Sequence, residues 1–344
     1  MTFEVKKTQS SALGPQSKIY VAGHRGLVGS ALMRCLAARG YSNIVTRSHA
    51  ELELMDQVAV RDFFASEAPD YVFLAAAKVG GIQANNSYPA EFIHQNLVVQ
   101  TNVIHEAWRT GVKRLLFLGS SCIYPRECPQ PMKEEYLLSG PLEPTNRPYA
   151  VAKIAGIETC WAFNRQYGTH FLAVMPTNLY GLGDNYDLEK SHVIPALIRK
   201  FHEAKEGGKK EMVAWGTGRP RREFLYSDDL ADACIFLMSL SDKDFASVLS
   251  PQSSVHDSLH SSPPLINIGY GSDLTIRELV EKVRNAVDFQ GEVIWDAEKP
   301  DGTPQKFLDS SRIQKLGWQA ATGLEEGLQK AYQDYLSSKL KGQR

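Results

Sequence analysis

The sequence predicts an α/β protein, with a doubly wound parallel sheet followed by a smaller α/β lobe. Three observations carry that prediction. Short apolar strands alternate with amphipathic helices through the first half, a glycine-rich turn joins the first strand to the first helix, and the pattern changes after residue 180. Strands that are apolar along their whole length are buried on both faces, which calls for helices on either side of a parallel sheet. The 344 residues suffice for two such lobes and a sizeable core.

Taken in order, Lys18 to Ala22 is a short apolar strand, and Leu27 to Arg39 an amphipathic helix. Asn43 to Arg47 is the second strand and Gln57 to Ser66 the second helix. Tyr71 to Ala77 reads as a buried strand, Glu91 to Arg109 as a long helix, and Arg114 to Gly119 as the next strand. A helix from Tyr149 to Tyr167 leads into the strand Phe171 to Met175. The second half holds a helix (Val193 to Ala204), strands at Met212 to Trp215 and Glu223 to Tyr226, and a helix from Leu230 to Ser239. Strand-helix-strand material resumes at Leu265, and a helix from Leu324 to Ser338 ends the pattern. Residues 1–17 read as a disordered tail, 18–180 as the cofactor domain and 181–344 mainly as the substrate lobe, with some strand and helix returning to the first domain. Serine and proline crowd the stretch before Leu265, so 241–264 is expected to be a flexible insertion.

Bulk properties narrow the function. A net charge of -1 and a pI near 6.8 give no general attraction to nucleic acid or anionic membrane, so neither is expected as a partner. The five cysteines are scattered without a C-x-x-C pair, which argues against a disulfide framework or structural zinc; no metal is expected, and the location expected is cytoplasmic. No apolar run approaches the roughly 20 residues of a membrane span.

Gly23-His24-Arg25-Gly26-Leu27-Val28-Gly29 follows a strand and opens a helix. In a Rossmann-type sheet such glycines let the backbone turn tightly and approach a pyrophosphate, which then lies at the helix N-terminus. The end of the second strand bears on which dinucleotide binds. An NAD site usually places a carboxylate there, whereas Thr46-Arg47-Ser48-His49 has none before Glu51. Arg47, with Arg25 and His49, instead suits the 2′-phosphate of NADP(H).

Tyr149 and Lys153 stand four apart on one helix face, downstream of the turn Gly119-Ser120-Ser121-Cys122-Ile123-Tyr124-Pro125. A phenol that moves a proton, a cation beside it and a serine hydroxyl that polarises a carbonyl are equipment for ketone and alcohol redox chemistry. That chemistry has no need of a thiol. Cys122 therefore stands out, although a free cysteine is most often a small buried hydrophobe, and His192 is also placed to cap the helix beginning at Val193.

With Met175-Pro176-Thr177-Asn178-Leu179-Tyr180-Gly181 after the next strand, the chain from Lys18 onward resembles the extended short-chain dehydrogenase/reductase family. Ala75-Ala76-Ala77-Lys78-Val79-Gly80-Gly81-Ile82, the cysteine-bearing turn, Tyr149 to Gly156 and Ser191-His192-Val193-Ile194-Pro195 make it similar to a narrower group, epimerase-reductases of GDP-linked 4-keto-6-deoxymannose. The resemblance implies two 3,5-inversions followed by NADPH-dependent reduction at C4. Ser120, Tyr149 and Lys153 would serve the reduction, with Cys122 the epimerisation base and His192 its acid. Ser120 is preferred to Ser121 because the family's serine stands four before the turn's tyrosine, here Tyr124. Further cofactor contacts implied are Leu54, Ala75, Ala76, Lys78, Leu118 and Gly119, then Pro176, Thr177, Asn178, Leu179 and His192. Substrate contacts implied are Ser121, Cys122, Asn178, Lys200, Trp215, Arg222 and Asp301, with Arg222 expected on the diphosphate. A homodimer through the helices around Glu91 to Arg109 and Tyr149 to Tyr167 is also implied. The alternatives are an NAD-dependent nucleotide-sugar 4-epimerase or 4,6-dehydratase, and a non-catalytic dinucleotide sensor. The specificity constant with NADPH should exceed that with NADH, and a clear preference for NADH would overturn the reading of Arg25, Arg47 and His49.

Overall fold

The computed structural model describes residues 12–188, 191–249, 263–299 and 301–342. In chain order the cofactor half contains β1 (Ile19–Ala22), α1 (Leu27–Ala38), β2 (Ile44–Val45), α2 (Gln57–Glu67), β3 (Tyr71–Leu74), α3 (Ile82–Ser87) and α4 (Pro89–Arg109). It continues with β4 (Arg114–Leu118), α5 (Arg147–Tyr167) and β5 (Phe171–Pro176). β6 (Asn178–Tyr180), α6 (Val193–Glu206), β7 (Glu211–Trp215), β8 (Arg221–Tyr226), α7 (Ser227–Ser239) and α8 (Asp242–Leu249) follow. The remainder is β9 (Leu265–Ile268), β10 (Asp273–Thr275), α9 (Ile276–Val287), β11 (Glu292–Asp296), β12 (Gln305–Lys306), α10 (Ser311–Lys315) and α11 (Leu324–Gly342).

Six parallel strands form the main sheet in the order β2-β1-β3-β4-β5-β9. Alternate residues of β1 feed two different cores. Ile19 and Val21 pack with α1, α7 and α8, while Tyr20 and Ala22 pack with α2, α4 and α5. Both faces are therefore covered, as whole-length apolar strands require. The strand order reverses direction at β1, which puts the glycine turn at the crevice where such sheets bind ligands.

The second lobe is built on β8, flanked by β10, β12 and β6, with a separate parallel pair of β11 and β7. Its own core lies between α6, α9 and α11. β6 was not expected. It starts two residues after β5 ends and pairs with β8, so the chain leaves one sheet and enters the other without a loop. The second strand is shorter than expected, and α3 falls where no element was expected.

Two expected disordered stretches are partly ordered. Residues 1–11 lie outside the described residues, but Leu13 is buried and donates its N–H to Met238 O at 3.1 Å. Ala12 O accepts from the Tyr71 hydroxyl at 2.9 Å, so the tail ends earlier than residue 17. Within the expected insertion, residues 242–249 form α8, and 250–262 lie outside the described residues. Phe245 and Val248, one helical turn apart, are buried against the main sheet. The wholly buried Arg114 lies 4.1 Å from the Phe245 ring centroid and donates to Asp242 Oδ1 at 2.7 Å, anchoring the helix at its start. The serine-rich composition just downstream hid this short apolar stripe. Phe245→Ala should cost about 3–5 kcal/mol in denaturant unfolding, whereas a loss near zero would mean that α8 is not part of the core.

Candidate active site

The glycine turn is shaped first by the protein itself. Gly23 has φ +83°, and a Cβ there would sit 2.7 Å from Ala76 N; one on Gly29 would sit 2.0 Å from Gly23 O. Ala75 joins the same contact by donating its N–H to Ala22 O at 3.0 Å. Gly26 is different. A Cβ on it would meet only Gly23 O at 3.5 Å, an ordinary contact, so nothing within the chain requires glycine there. Gly26 caps α1 with no side-chain hydrogen bond to the first turn, and that turn carries no acidic residue. A pyrophosphate fits this cradle, both for backbone approach and for charge at the helix N-terminus.

The adenosine end is arranged less simply. Glu51, the nearest carboxylate, accepts from Ser48 N at 2.7 Å and from Ser48 Oγ at 2.6 Å, so it folds its own turn. Arg25 is exposed beside the glycine turn. Arg47 donates to Thr46 O at 2.8 Å and to Glu67, and its guanidinium lies 5.3 Å from the Phe63 ring. His49 is exposed and pairs with Glu53 at 2.9 Å. Among the described residues Arg25 makes no hydrogen bond or ion pair through its side chain, whereas Arg47 must exchange Glu67 to reach a phosphate. Leu54 and Lys78 are set through their backbones: Asn102 donates to Leu54 O at 2.9 Å, and Asn96 grips Lys78 N and Lys78 O, each at 3.0 Å.

β4 delivers the serine turn at its carboxyl end, with Gly119 N bonded to Val174 O at 2.9 Å. Ser121 begins a single 3₁₀ turn, and Ser120 Oγ caps it by accepting from Cys122 N at 3.4 Å. Hydrogen bonding with Ser120 opposes the rise in pKa that burial gives both the Tyr149 phenol and the Cys122 thiol. One serine thus stands between the reductase tyrosine and the unexplained cysteine. Lys153 donates to Leu118 O at 2.7 Å, with its ammonium 5.7 Å from the Tyr149 ring centroid.

Burial sets the protonation states. It pushes the Tyr149 phenol up, with the Cys122 charge adding to the effect and Ser120 opposing it. Lys153 is pushed down to about 8 by burial. The Lys153 ammonium is turned onto the Leu118 carbonyl, and burial favours the protonated phenol of Tyr149. A protonated phenol is the form that a reductase needs as its acid. Burial likewise pushes the Cys122 thiol up, against Ser120, Lys306 and Lys153. His192 precedes α6 without capping it by a side-chain hydrogen bond, which removes capping as the reason for a histidine there. Its ring is open to solvent yet densely surrounded, and that desolvation pushes its pKa down towards the neutral imidazole.

The crossing segment also serves the site. Pro176 ends β5, and Leu179 pairs with Leu225 of β8. Thr177 Oγ1 and Asn178 Nδ2 both donate to Glu223 O, at 3.1 and 2.9 Å. In the second lobe Trp215 is 57% exposed and is faced by two ammonium groups, Lys200 at 4.2 Å and Lys299 at 5.6 Å from its ring. Arg222 donates to Arg221 O at 2.7 Å, and Lys306 stands opposite it across the β8–β12 pairing. Asp301 accepts from Thr217 N at 2.9 Å and Thr217 Oγ1 at 2.6 Å, so its carboxylate closes the loop after Trp215. Lys299, Lys306 and Glu223 were not singled out from the sequence. Glu223 adjoins Arg222, but the lysines lie in a polar stretch with no periodicity to mark them.

Residues 19–247 match the NAD dependent epimerase/dehydratase family. The chain is 54% identical over 329 residues to GDP-L-fucose synthase 1 of Arabidopsis thaliana, covering 96% of each. It is 52% identical over 323 residues to GDP-L-fucose synthase of Escherichia coli (strain K12), covering 94% of this chain and 98% of that one. The chain belongs to the NAD dependent epimerase/dehydratase family and, within it, to the GDP-L-fucose synthases. The extended short-chain reductase resemblance is thereby borne out, and the family fold is the one described above. A GDP-L-fucose synthetase from Naegleria fowleri, solved bound to NADP, superposes with a TM-score of 0.82 at 26% identity, covering 98% of this chain and 99% of that one.

Burial also acts on a carboxyl in the segment that leads to His192. Asp184, in the segment between β6 and His192, has one oxygen bonded to Asn185 N at 2.7 Å and the other buried without a partner. Burial, with Asp334 adding to it, pushes its pKa up from 3.8 to about 7. The folded state then binds a proton that the unfolded chain has lost, so this stabilisation is complete below pH 3.8 and disappears as pH rises through about 7. Asp184→Asn should be more stable than the parent at pH 8 by about 2 kcal/mol, half of the full displacement because water partly screens the carboxyl. In urea unfolding the difference should vanish near pH 4, and a constant difference across pH would rule out Asp184 as the titrating group.

Proposed function

We propose that the enzyme converts GDP-4-keto-6-deoxy-D-mannose to GDP-L-fucose, by epimerisation at C3 and C5 and reduction at C4. The observation that carries this is that Ser120, at the start of the serine turn, acts on both Tyr149 of α5 and Cys122. A reductase needs the first partner only. A C4 ketone, however, acidifies the C–H bonds at both C3 and C5, because either carbanion delocalises into the same carbonyl. Inverting each carbon then takes a proton carrier on each side of the ring. Cys122 and His192 are the two carriers, one on the serine turn and one at the start of α6.

Ser120 and Tyr149 donate to the C4 oxygen, so the negative charge of the enolate rests on two hydrogen bonds. Cys122 removes a proton from the ring carbon as its thiolate and becomes the thiol. His192 enters the step as the imidazolium, returns a proton to the opposite face and is left as the neutral imidazole that its desolvation favours. The glycine cradle and Arg25 would hold NADPH, which would supply the hydride for C4. Tyr149, kept protonated by its burial, donates its proton to the C4 oxygen at that stage. Arg222 and Lys200 hold the diphosphate end, and the Trp215 ring offers a stacking face to the base. Asp301 acts on this end through the loop that it closes.

The active form is proposed to be a homodimer paired through α4 and α5, where Val151 and Tyr167 are exposed and Trp108 packs on Phe163 and Tyr167. All five cysteines are free, which supports a reducing, cytoplasmic setting.

The test is to supply the keto sugar and NADPH in deuterium oxide and determine the product's stereochemistry. The parent should give the L-fuco product with deuterium at C3 and C5. Cys122→Ser should lose deuterium incorporation by at least about 100-fold while still binding NADPH. Full epimerisation by that variant would remove the thiol from the mechanism.

A further inference from the structure

The exposed ring of Trp215 ends β7, and the loop Gly216-Thr217-Gly218-Arg219-Pro220 carries the chain on to β8. Asp301 closes one side of this loop, and Gly216 N donates to Asp296 O at 2.9 Å. The other side rests on the start of α9, which the mechanism above leaves unused. Ile276 N donates to Pro220 O and Arg277 N to Gly218 O, each at 2.9 Å, while Thr275 Oγ1 accepts from Glu278 N at 3.1 Å. Two carbonyls of the loop thereby take amides that the first turn of a helix leaves open.

Arg277 adds its side chain to the same loop. Its Nη2 donates to Thr217 O at 2.9 Å, and its guanidinium lies 4.3 Å from the Trp295 ring centroid. Trp295 is half-buried on β11 against the core of the second lobe, one residue before Asp296, which is in register with Trp215. Gly218 completes the contact. It has φ +76°, and a Cβ there would sit 2.6 Å from Trp295 Cη2 and 3.1 Å from Arg277 Cβ. An arginine over a surface tryptophan is ordinarily a weak contact. Here, however, the amide and the guanidinium of one residue hold two successive carbonyls, starting two residues after Trp215. An exposed ring has no core packing to fix it, so its placement falls to the backbone that carries it.

We propose that Arg277 is a positioning residue for the nucleotide end of the substrate, clamping the loop against Trp295 so that the Trp215 ring is held ready for the base. The inference rests on the part given to Trp215 in the function proposed above. Arg277 touches no reacting atom, so the clamp acts on binding and leaves proton and hydride transfer alone.

The test titrates the whole protein with GDP by calorimetry, without keto sugar or cofactor. Arg277→Met keeps the stem and removes the donors, and it should weaken GDP binding about tenfold. Arg277→Lys, which restores a charge and a donor, should recover part of that loss. With keto sugar and NADPH, KM for the sugar should rise by a similar factor while kcat moves by less than about twofold. In a Trp215→Ala background the same Arg277→Met change should cost less than about twofold, because the ring it acts through is gone. Parent-like GDP affinity in Arg277→Met overturns the proposal. So does a full tenfold loss in the Trp215→Ala background, because that marks damage to the lobe and not placement of the ring. Trp295→Leu takes the place of Arg277→Met in the same cycle if that variant does not fold. Trp215→Ala with parent-like GDP affinity overturns the part given to Trp215 and the clamp together, whereas an inert Arg277→Met beside a weakened Trp215→Ala overturns the clamp alone.

Discussion

The two lobes meet on one buried carboxylate. Glu223 has no exposed surface, and its oxygens accept from Gly271 N at 2.8 Å and Leu308 N at 3.2 Å. Gly269 lies so close that a Cβ there would come within 2.4 Å of the carboxylate. Its backbone oxygen takes the side chains of Thr177 and Asn178. One residue of β8 thereby grips the loop after the last strand of the cofactor sheet, the crossing from β5 to β6 and the strand carrying Lys306. Burial pushes the Glu223 pKa up, and the amides hold it down. Removing a partner from a buried charge of this kind costs about 3–5 kcal/mol. Closure of the cleft and placement of its cations therefore depend on the same carboxylate.

Around that joint, desolvation dominates the active-site chemistry. Tyr149 and Cys122 are pushed up, while Lys153 and His192 are pushed down. Every shift favours the neutral form, as burial alone demands. Ser120 then opposes that trend where the reaction needs charge, at both the phenol and the thiol. Sharing one serine between reduction and inversion has a simple basis, since both reactions place negative charge on the same C4 oxygen.

The legible part of the site was local. Tyr149 and Lys153 share a helix face by spacing, Cys122 lies two residues from Ser120, and the glycine turn stands between a strand and a helix. Each is a pattern over a few residues. Lys306 and Lys299 reach the site from more than eighty residues beyond Trp215 and Arg222 in one case and from a polar loop in the other, so no periodicity announces them. Helix α8 was missed for a related reason: its stripe of Phe245 and Val248 is too short to stand out beside a serine-rich neighbour, and Arg114, 128 residues away, is what anchors it.

Short-range chemistry could be read directly from the chain: the parallel sheet from its apolar strands, the cofactor turn from its glycines, and the paired reductase and thiol chemistry from one turn and one helix. Protonation states and partners could not. Whether a phenol keeps its proton depends on desolvation and on groups distant in sequence, and only packing the two lobes around Glu223 brings those together.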